Sequence, residues 1–360
     1  MSGTDEKRGL YIHIPFCASK CRYCNFYSRS CDEQTKTEFL SALCREISAV
    51  GGGKVSTVYI GGGTPSVLPE GSLERLFSAL ENTFDLSGVG EITVECNPDS
   101  ASKAFFLEAA RCGVNRVSMG CQSFVSEELA FLGRRHSPEQ AKQAFFAARE
   151  AGFSKISLDL MLAIPFQTKE SLLFSLEEIA SLDPEHVSAY LLKVEPGTPF
   201  SFLNLPQNDD FSADLYLLAS EFLTCKGFEH YEVSNFAKKG CRARHNSAYW
   251  QGKEYFAFGP GAYGYLNGKR FSVEADLQKY IAGNAEVQVE EVLSEADVSK
   301  EKLMLSLRTA DGVRRSDLTE KQAEILSSLI PHGLAEKTED RFFLTPRGFL
   351  VSNSILSEIF

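Results

Sequence analysis

The stretch CASKCRYC, residues 17–24, decides the fold prediction for this chain. Cys17, Cys21 and Cys24 are spaced Cys-x3-Cys-x2-Cys, directly after the β-like run LYIHI at residues 10–14. Three thiolates so close together are expected to bind a soft metal. Zinc takes four ligands, or three plus water, and no fourth ligand stands nearby at a usual zinc spacing. An iron–sulfur cluster usually takes four thiolates, so three would leave one iron open to a substrate or cofactor.

The composition of the 360-residue chain is that of an ordinary globular protein, with 43% hydrophobic and 24% charged residues. The net charge of −11 disfavours broad binding to nucleic acid or to a membrane surface. The N-terminal run MSGTDEKRGL has no apolar signal core, and no uncharged apolar run reaches about 18 residues. We therefore expect a cytoplasmic protein whose other, scattered cysteines are free thiols rather than a disulfide framework.

Six β-like runs alternate with helical patterns over the first 235 residues. Strand–helix units in such a series predict parallel strands, and six of them predict a partial (β/α)6 barrel of the TIM type. An open doubly wound sheet is the alternative that the pattern leaves open. The runs are LYIHI (10–14), TVYIGG (57–62), EITVECN (91–97), RVSMGCQ (116–122), KISLDLMLAIP (155–165) and HVSAYLLKVE (186–195).

The rhythm of strands and helices changes after residue 235, which predicts three parts. Residues 1–235 form the barrel, and residues 236–294, rich in Gly, Tyr, Asn and Lys, form a linking segment. Residues 295–360 combine two helical patterns with a short hairpin, which predicts a small winged-helix-like α+β module. Because the chain is acidic, we expect this module to pack against the barrel rather than to bind nucleic acid.

Polar side chains stand at or near the ends of several predicted strands. The run GGGTP (61–65) follows the second strand, and glycine lets backbone approach a ligand closely. Because the carboxyl ends of barrel strands meet on one face, we expect these polar groups to converge on one pocket. They are Glu95, Asn97, Gln122, Arg134 and Asp159.

The three cysteines, with Tyr23 before the last of them, resemble the motif of the radical S-adenosylmethionine superfamily. This resemblance implies a partial (β/α)6 barrel and a [4Fe–4S] cluster held by Cys17, Cys21 and Cys24. It further implies that S-adenosylmethionine chelates the fourth iron. In that superfamily the cofactor is cleaved there to a 5′-deoxyadenosyl radical; for this chain, cleavage and a role in setting the cluster or oligomer state both stay open. The cofactor-binding residues implied by the resemblance are Tyr11, Tyr23, Gly62, Gly63, Thr64, Glu95, Gln122, Arg134 and Asp159.

Within that superfamily, the chain resembles the group around oxygen-independent coproporphyrinogen III oxidase. The runs LYIHIPFC, GGGTPS, VSMGCQSF and LDLMLAIPFQT all match this group. The oxidase has a further cysteine two residues after the third, where this chain has Phe26, and it carries an N-terminal extension. Both differences disfavour oxidative decarboxylation of coproporphyrinogen III, which stays open as the alternative function because Gln122, Arg134 and Asp159 are retained. We assign no catalytic residue.

The run HNSAYW, residues 245–250, contains the chain's single Trp and resembles the signature of the haem chaperone family in this group. The resemblance implies a protein that binds haem and delivers it to haem-requiring respiratory membrane proteins, and it is compatible with a homodimer. His245 is the expected haem ligand, since imidazole is a good axial ligand for iron, with Cys241 as a weaker candidate. We expect Tyr249 and Trp250 to pack against the porphyrin, and the run FGPGAYG (258–264) to border the pocket.

Overall fold

The structure is a computed structural model that describes residues 7–205 and 208–360, so most of the polar N-terminal run lies outside the described residues. Its N-terminal part alternates strands and helices. The strands are β1 (Arg8–Ile14), β2 (Gly53–Gly62), β3 (Phe84–Asp85), β4 (Glu91–Cys96), β5 (Arg116–Gln122), β6 (Ile156–Leu162), β7 (His186–Leu191), β8 (Glu229–Glu232) and β9 (Asn235–Ala237). The helices are α1 (Glu33–Ser48), α2 (Ser72–Thr83), α3 (Lys103–Arg111), α4 (Ser126–Leu132), α5 (Pro138–Glu150), α6 (Lys169–Leu182) and α7 (Asp209–Cys225).

The six predicted strands lie side by side and parallel, in the order β1-β2-β4-β5-β6-β7. Their order in space follows their order in the chain. In a doubly wound sheet the order reverses at a switch point, and no reversal occurs within this run. The prediction of a partial (β/α)6 barrel is therefore confirmed, and the doubly wound alternative is wrong.

The two faces of these strands differ in polarity. On β1, Leu10, Ile12 and Ile14 are fully buried in the hydrophobic core, whereas Tyr11 and His13 point to the opposite face and line a cavity. The same alternation holds along β4 to β7, where most of the inward positions are polar. The barrel interior is consequently a polar chamber, although the strands read as largely apolar in sequence.

Helix α5 begins and ends as its sequence predicts. The Ser137 hydroxyl accepts a hydrogen bond from the Gln140 backbone N–H, and the Gln140 side chain accepts one from the Ser137 N–H. Pro138 occupies the first turn, and Gly152 follows the helix with a φ of +96°. The capping box and the terminal glycine together fix the helix bounds.

The segment predicted to link the two domains extends the main sheet. Its first strand pairs in parallel with β1, and the next three continue antiparallel from it. On β1, Gly9 pairs with Thr57 on one side and with Tyr255 on the other, so β1 is an interior strand of the sheet. The elements are α8 (Arg244–Trp250), β10 (Tyr255–Phe258), β11 (Tyr263–Leu266), β12 (Lys269–Val273), α9 (Leu277–Ile281) and β13 (Val287–Val292).

The C-terminal part contains the two helices and the short hairpin that its sequence predicts, together with a short strand between the helices and two further helices after the hairpin, which were not predicted. Backbone hydrogen bonds join it to the barrel, from Val233 N to Arg308 O and from Ala310 N to Tyr231 O. Among the described residues, no helix is both long and apolar enough to cross a membrane. The elements are α10 (Glu295–Ser306), β14 (Val313–Arg314), α11 (Glu320–Leu329), β15 (Ala335–Lys337), β16 (Arg341–Leu344), α12 (Pro346–Leu350) and α13 (Ser352–Ile359).

Candidate functional site

The cysteine loop follows β1 and is fixed at three points. Cys17 N donates to Arg29 O (3.2 Å), Arg22 N donates to Leu132 O at the end of α4 (3.0 Å), and Cys24 N donates to Cys21 O (3.3 Å). The three thiols open on one cavity of about 390 Å³ inside the barrel, here called the cluster cavity. Its wall includes eleven of the predicted site residues: Cys17, Cys21, Tyr23, Cys24, Gly62, Gly63, Thr64, Glu95, Gln122, Arg134 and Asp159.

Two of the three sulfurs have polar partners on the cavity wall. The Thr64 hydroxyl lies 3.3 Å from Cys17 Sγ, and Arg134 Nη1 donates to Cys21 Sγ at 3.4 Å. Burial raises the pKa of the Cys24 thiol to about 11. In the described part of the chain, no three His, Cys, Asp or Glu side chains are arranged to hold one metal ion. A four-iron cluster separates its cysteine sulfurs more widely than a single ion does, because each sulfur binds a different iron.

The glycines at the end of β2 pack closely against β1 and the residues that lead from it to Cys17. Gly63 N donates to Ile14 O (2.8 Å), and a Cβ at Gly63 would lie 2.5 Å from Phe16 O. Gly62 has a φ of +97°, and a Cβ there would meet the His13 ring. Besides lining the cavity in which a ligand is expected, Gly62 thus makes room for the His13 ring, and Gly63 makes room for the backbone that leads to the cysteine loop.

Glu95 on β4 is held by two donors at the border of the cluster cavity. The Tyr59 hydroxyl donates to Glu95 Oε1 at 2.5 Å, and Gly62 N donates to Oε2 at 3.0 Å. Burial raises the pKa of Glu95, and burial followed by the nearby Glu95 charge raises the pKa of Asp159 to about 7. Tyr59 was not predicted as a site residue, although it stands two residues before the glycine run on the inward face of β2.

Several buried polar atoms of the cluster cavity wall have no partner among the described residues. They include Gln122 Oε1, Arg134 Nε and Thr93 Oγ1. Gln122 also adopts a φ of +68° at the end of β5, a backbone conformation that residues other than glycine rarely adopt. Unpaired buried polar atoms are costly, and a polar cofactor in the cavity would satisfy them. The thiols and these groups therefore fit a cluster with an amino-acid-like cofactor beside it.

A second, larger cavity of about 930 Å³ adjoins the first, and we call it the tyrosine cavity. Phe26, Tyr59, Gly62, Glu95 and Asn246 line both cavities, so the two share a wall. Gly261 and Tyr263 of the run FGPGAYG line it, as its sequence predicts for a pocket border. Its aromatic and imidazole lining consists of Tyr11, His13, Phe26, Tyr27, Tyr59, His245, Tyr249, Tyr255 and Tyr263.

His245 lies in the wall of the tyrosine cavity with both ring nitrogens paired. Nδ1 lies 2.8 Å from the Thr57 hydroxyl, and Nε2 lies 2.8 Å from the Tyr249 hydroxyl. Its ring stacks on Tyr59 with centroids 5.1 Å apart, and burial lowers its pKa to about 3. The imidazole is therefore neutral, and neither nitrogen is available to iron without a change in these hydrogen bonds.

The other residues of the HNSAYW region do not all face that cavity. Tyr249 does, but Trp250 lines a separate cavity of about 450 Å³ between α8 and the C-terminal module. Cys241 lines neither of the first two cavities, and its carbonyl oxygen accepts from Arg116 Nη2 at 2.7 Å. Tyr11, predicted with the cluster residues, lies on the tyrosine cavity instead. The spacing of His245 and Tyr249, four apart in a helix, was the available signal that these two side chains meet.

A buried ion pair, not predicted from sequence, joins α8 to the barrel. Arg116 Nε lies 2.9 Å from Glu91 Oε2, and both side chains are almost fully buried. Glu91 Oε1 also accepts from His245 N at 2.9 Å, while Arg116 donates to Ser157 Oγ at 3.2 Å. These contacts fix the start of the HNSAYW helix against the inward faces of β4, β5 and β6.

The chamber, the three-cysteine loop and the partial barrel define a radical S-adenosylmethionine protein. The model of the Radical SAM superfamily matches residues 11–179. The chain is 37% identical to the heme chaperone HemW of Bacillus subtilis (strain 168), over 97% of this chain and 98% of that protein. It is 35% identical to the heme chaperone HemW of Lactococcus lactis, over 98% and 97% of the two chains. The chain belongs to the HemW family of radical SAM proteins, which confirms the resemblance found in the sequence.

The fold also matches a solved structure of the oxidase group. Coproporphyrinogen III oxidase (HemN) from Escherichia coli superposes with a TM-score of 0.84, covering 99% of this chain and 91% of that one. The two sequences are 23% identical, so the likeness shows a shared fold. It confirms the mixed α/β architecture of a partial barrel followed by a C-terminal module.

Proposed function

We propose that this protein binds haem and delivers it to haem-requiring respiratory proteins. The observation that carries the proposal is the tyrosine cavity, which is lined by the HNSAYW helix and shares a wall with the cluster cavity. Ligand pockets are typically 300–1,000 Å³, mostly aromatic or apolar, with a few polar groups. A porphyrin is a large flat aromatic ligand, and its carboxylates would find Lys20 on the cavity wall.

The same proposal assigns a [4Fe–4S] cluster to the cysteine loop. Cys17, Cys21 and Cys24 would hold it, and the wall around Gln122 and Arg134 would receive S-adenosylmethionine on the open iron. The bound cluster and cofactor would supply one-electron chemistry. The chain's own groups contribute hydrogen bonds to sulfur from Thr64 and Arg134.

The remaining assignments also belong to the proposal. We place the protein in the cytoplasm, where it would meet its membrane acceptors by specific contact, and we propose a homodimer. We further propose a division of the chain into a barrel (1–235), a haem-site segment (236–294) and a C-terminal module (295–360). The second of these shares the sheet of the first, so we expect the two to unfold together.

Titration of the purified, anaerobically reconstituted protein with haem tests the function. We expect stoichiometric binding by absorbance, followed by transfer of the bound haem to an apo-haem protein added in excess. A parallel assay supplies reductant, S-adenosylmethionine and coproporphyrinogen III. Absence of haem binding, or robust protoporphyrinogen formation, would overturn the chaperone assignment, and the latter result would establish the oxidase.

A further inference from the structure

Two tyrosine–histidine pairs face the tyrosine cavity. The Tyr11 hydroxyl lies 3.0 Å from His13 Nδ1 on β1, and the Tyr249 hydroxyl lies 2.8 Å from His245 Nε2 on α8. Both phenols and both imidazoles line the cavity. The two pairs differ in the hydrogen-bond partner of the second ring nitrogen of each histidine. That partner decides whether the histidine can donate a hydrogen bond to its tyrosine oxygen.

His13 is restricted to one neutral tautomer by its second partner. Its Nε2 lies 2.8 Å from the Tyr27 carbonyl oxygen, which can only accept a hydrogen bond. Nε2 therefore carries the hydrogen, and Nδ1 can only accept the hydroxyl hydrogen of Tyr11. Burial lowers the pKa of His13, which favours this neutral form. A deprotonated Tyr11 would find no donor in this histidine.

His245 has no such restriction. Its Nδ1 faces the hydroxyl of Thr57, which can donate or accept. Nε2 can therefore accept the hydroxyl hydrogen of Tyr249 in one tautomer, and it can donate a hydrogen to a Tyr249 phenolate in the other. The change costs the imidazole no net charge, so it remains compatible with burial.

We propose that Tyr249, through its phenolate oxygen, is the protein ligand to ferric haem iron, and that His245 is a positioning residue that donates to that oxygen. The inference rests on the proposed haem-binding function. The iron–oxygen bond forms as the phenol proton leaves to solvent, and iron keeps its oxidation state. Tyrosinate is one of the axial ligands that proteins use for haem, and an oxygen anion suits the ferric ion.

Packing opposes His245 itself as the ligand. Its side chain is held between Tyr59 and β1, where a Cβ on Gly9 would already lie 3.3 Å from His245 Cε1. The residue is 1% exposed, whereas Tyr249 is partly exposed. Turning Nε2 towards iron would break both hydrogen bonds and leave the Thr57 hydroxyl unpaired. Tyr249 can bind iron and still keep its hydrogen bond to His245.

The test is resonance Raman and absorbance spectroscopy of the full-length protein loaded with ferric haem. We expect an iron–phenolate signature in the unsubstituted protein and its loss in Tyr249→Phe, with haem affinity weakened by more than about 100-fold. His245→Gln should keep the signature, with affinity weakened by about 10- to 100-fold as for other partners of metal ligands. Tyr249→His should replace the phenolate spectrum with an imidazole spectrum. Trp250→Phe, one residue along α8 and facing another cavity, is the matched control. It should change neither the iron–phenolate signature nor the haem affinity.

The outcomes separate this inference from the function on which it rests. An unsubstituted protein that binds no haem overturns both. A protein that binds haem with an imidazole spectrum, or a Tyr249→Phe variant that keeps the phenolate signature, overturns the assignment of Tyr249 alone. Circular dichroism of each variant distinguishes loss of the ligand from loss of the fold, and the spectral conversion in Tyr249→His depends on a folded site.

Discussion

Arg134 directs its Nη1 to the sulfur of Cys21 at 3.4 Å, from the loop after α4 to the loop after β1. Its Nη2 is fixed at the same time by Asn97 Oδ1, 2.7 Å away. The guanidinium is therefore a fixed positive charge beside a thiol that we assign to the cluster. Hydrogen bonds and charge next to cluster sulfurs tune the reduction potential.

Arg134→Gln should make the cluster harder to reduce, because the added electron loses a nearby positive charge. The measurement is a potentiometric titration followed by electron paramagnetic resonance. Arg135→Gln is the matched control, since Arg135 is largely exposed and lies 3.8 Å from Asp99. Equal potentials for Arg134→Gln and the unsubstituted protein would contradict the role given to Arg134.

Substitution of any one of Cys17, Cys21 or Cys24 by Ala should abolish the four-iron absorbance after anaerobic reconstitution, because three thiolates are already one fewer than the usual set. Cys31→Ala should leave the iron and sulfide content unchanged. Cys31 lies close in sequence, but its thiol does not line the cluster cavity. Loss of the cluster in Cys31→Ala would mean that the ligand set is wrong.

Gly63→Ala should lower the free energy of unfolding by about 1–3 kcal/mol, the usual cost of forcing an extra group into a packed site. The new Cβ would meet the carbonyl oxygens of Ile14 and Phe16 at 2.6 and 2.5 Å. Because those residues lead into the cysteine loop, iron content after reconstitution should fall too. Gly51→Ala, where a Cβ would meet nothing within 4 Å, is the control for urea unfolding.

Arg116→Met should destabilise the protein by about 3–5 kcal/mol, because it leaves Glu91 buried without its counter-charge. Breaking the exposed Lys103–Glu150 pair with Lys103→Met should have a far smaller effect, because solvent screens an exposed pair. Denaturant unfolding compares the two. Adding Glu91→Gln to Arg116→Met should recover part of the loss, and no recovery would show that the packing of Arg116 outweighs its charge.

The stability of the protein without cofactors should fall as the pH rises from about 4 to 7 through the contribution of Asp159. The folded state keeps this carboxyl protonated up to a pKa of about 7, whereas the unfolded chain releases the proton near pH 4. In that interval the folded state binds more protons, and the slope approaches about −1.4 kcal/mol per pH unit for one group. Asp159→Asn should flatten the profile measured by urea unfolding at each pH.

Glu232 provides an independent check of that profile. Burial raises its pKa to about 7 as well, and it lies on β8, outside the cluster cavity. Glu232→Gln should remove a similar share of the slope, and the double variant should be flatter than either single variant. A profile that Asp159→Asn leaves unchanged would show that Asp159 does not remain protonated in the folded protein.

The strands of the barrel and most residues of the cluster cavity wall could be predicted from the sequence. Each strand is a short local run, and the face on which barrel strands end is set by the repeated handedness of strand–helix units. The sequence could therefore predict that residues as distant as Cys21 and Asp159 lie on one cavity. The polar character of the barrel interior was harder to predict from the sequence, because the outward-facing apolar residues dominate the composition of each strand.

The pairing of β10 with β1 could not be predicted, because it joins Gly9 to Tyr255, 246 residues away. Contacts between such distant segments leave no local sequence pattern. Tyr249 and Trp250, both expected to pack against the porphyrin, line different cavities for a simple reason. Neighbouring residues on an α-helix point about 100° apart, so the two rings face different cavities. Recognising α8 as a helix would have joined His245 to Tyr249 instead.

Tyr59 belongs to both chambers at once, because its hydroxyl donates to Glu95 while its ring stacks on His245. If a ligand in the cluster cavity takes over Glu95 and shifts this tyrosine, the shift reaches the ring of His245. The two occupancies would then be linked thermodynamically, and linkage is reciprocal. Whatever factor S-adenosylmethionine imposes on the affinity of the neighbouring cavity, the occupant of that cavity imposes the same factor in return.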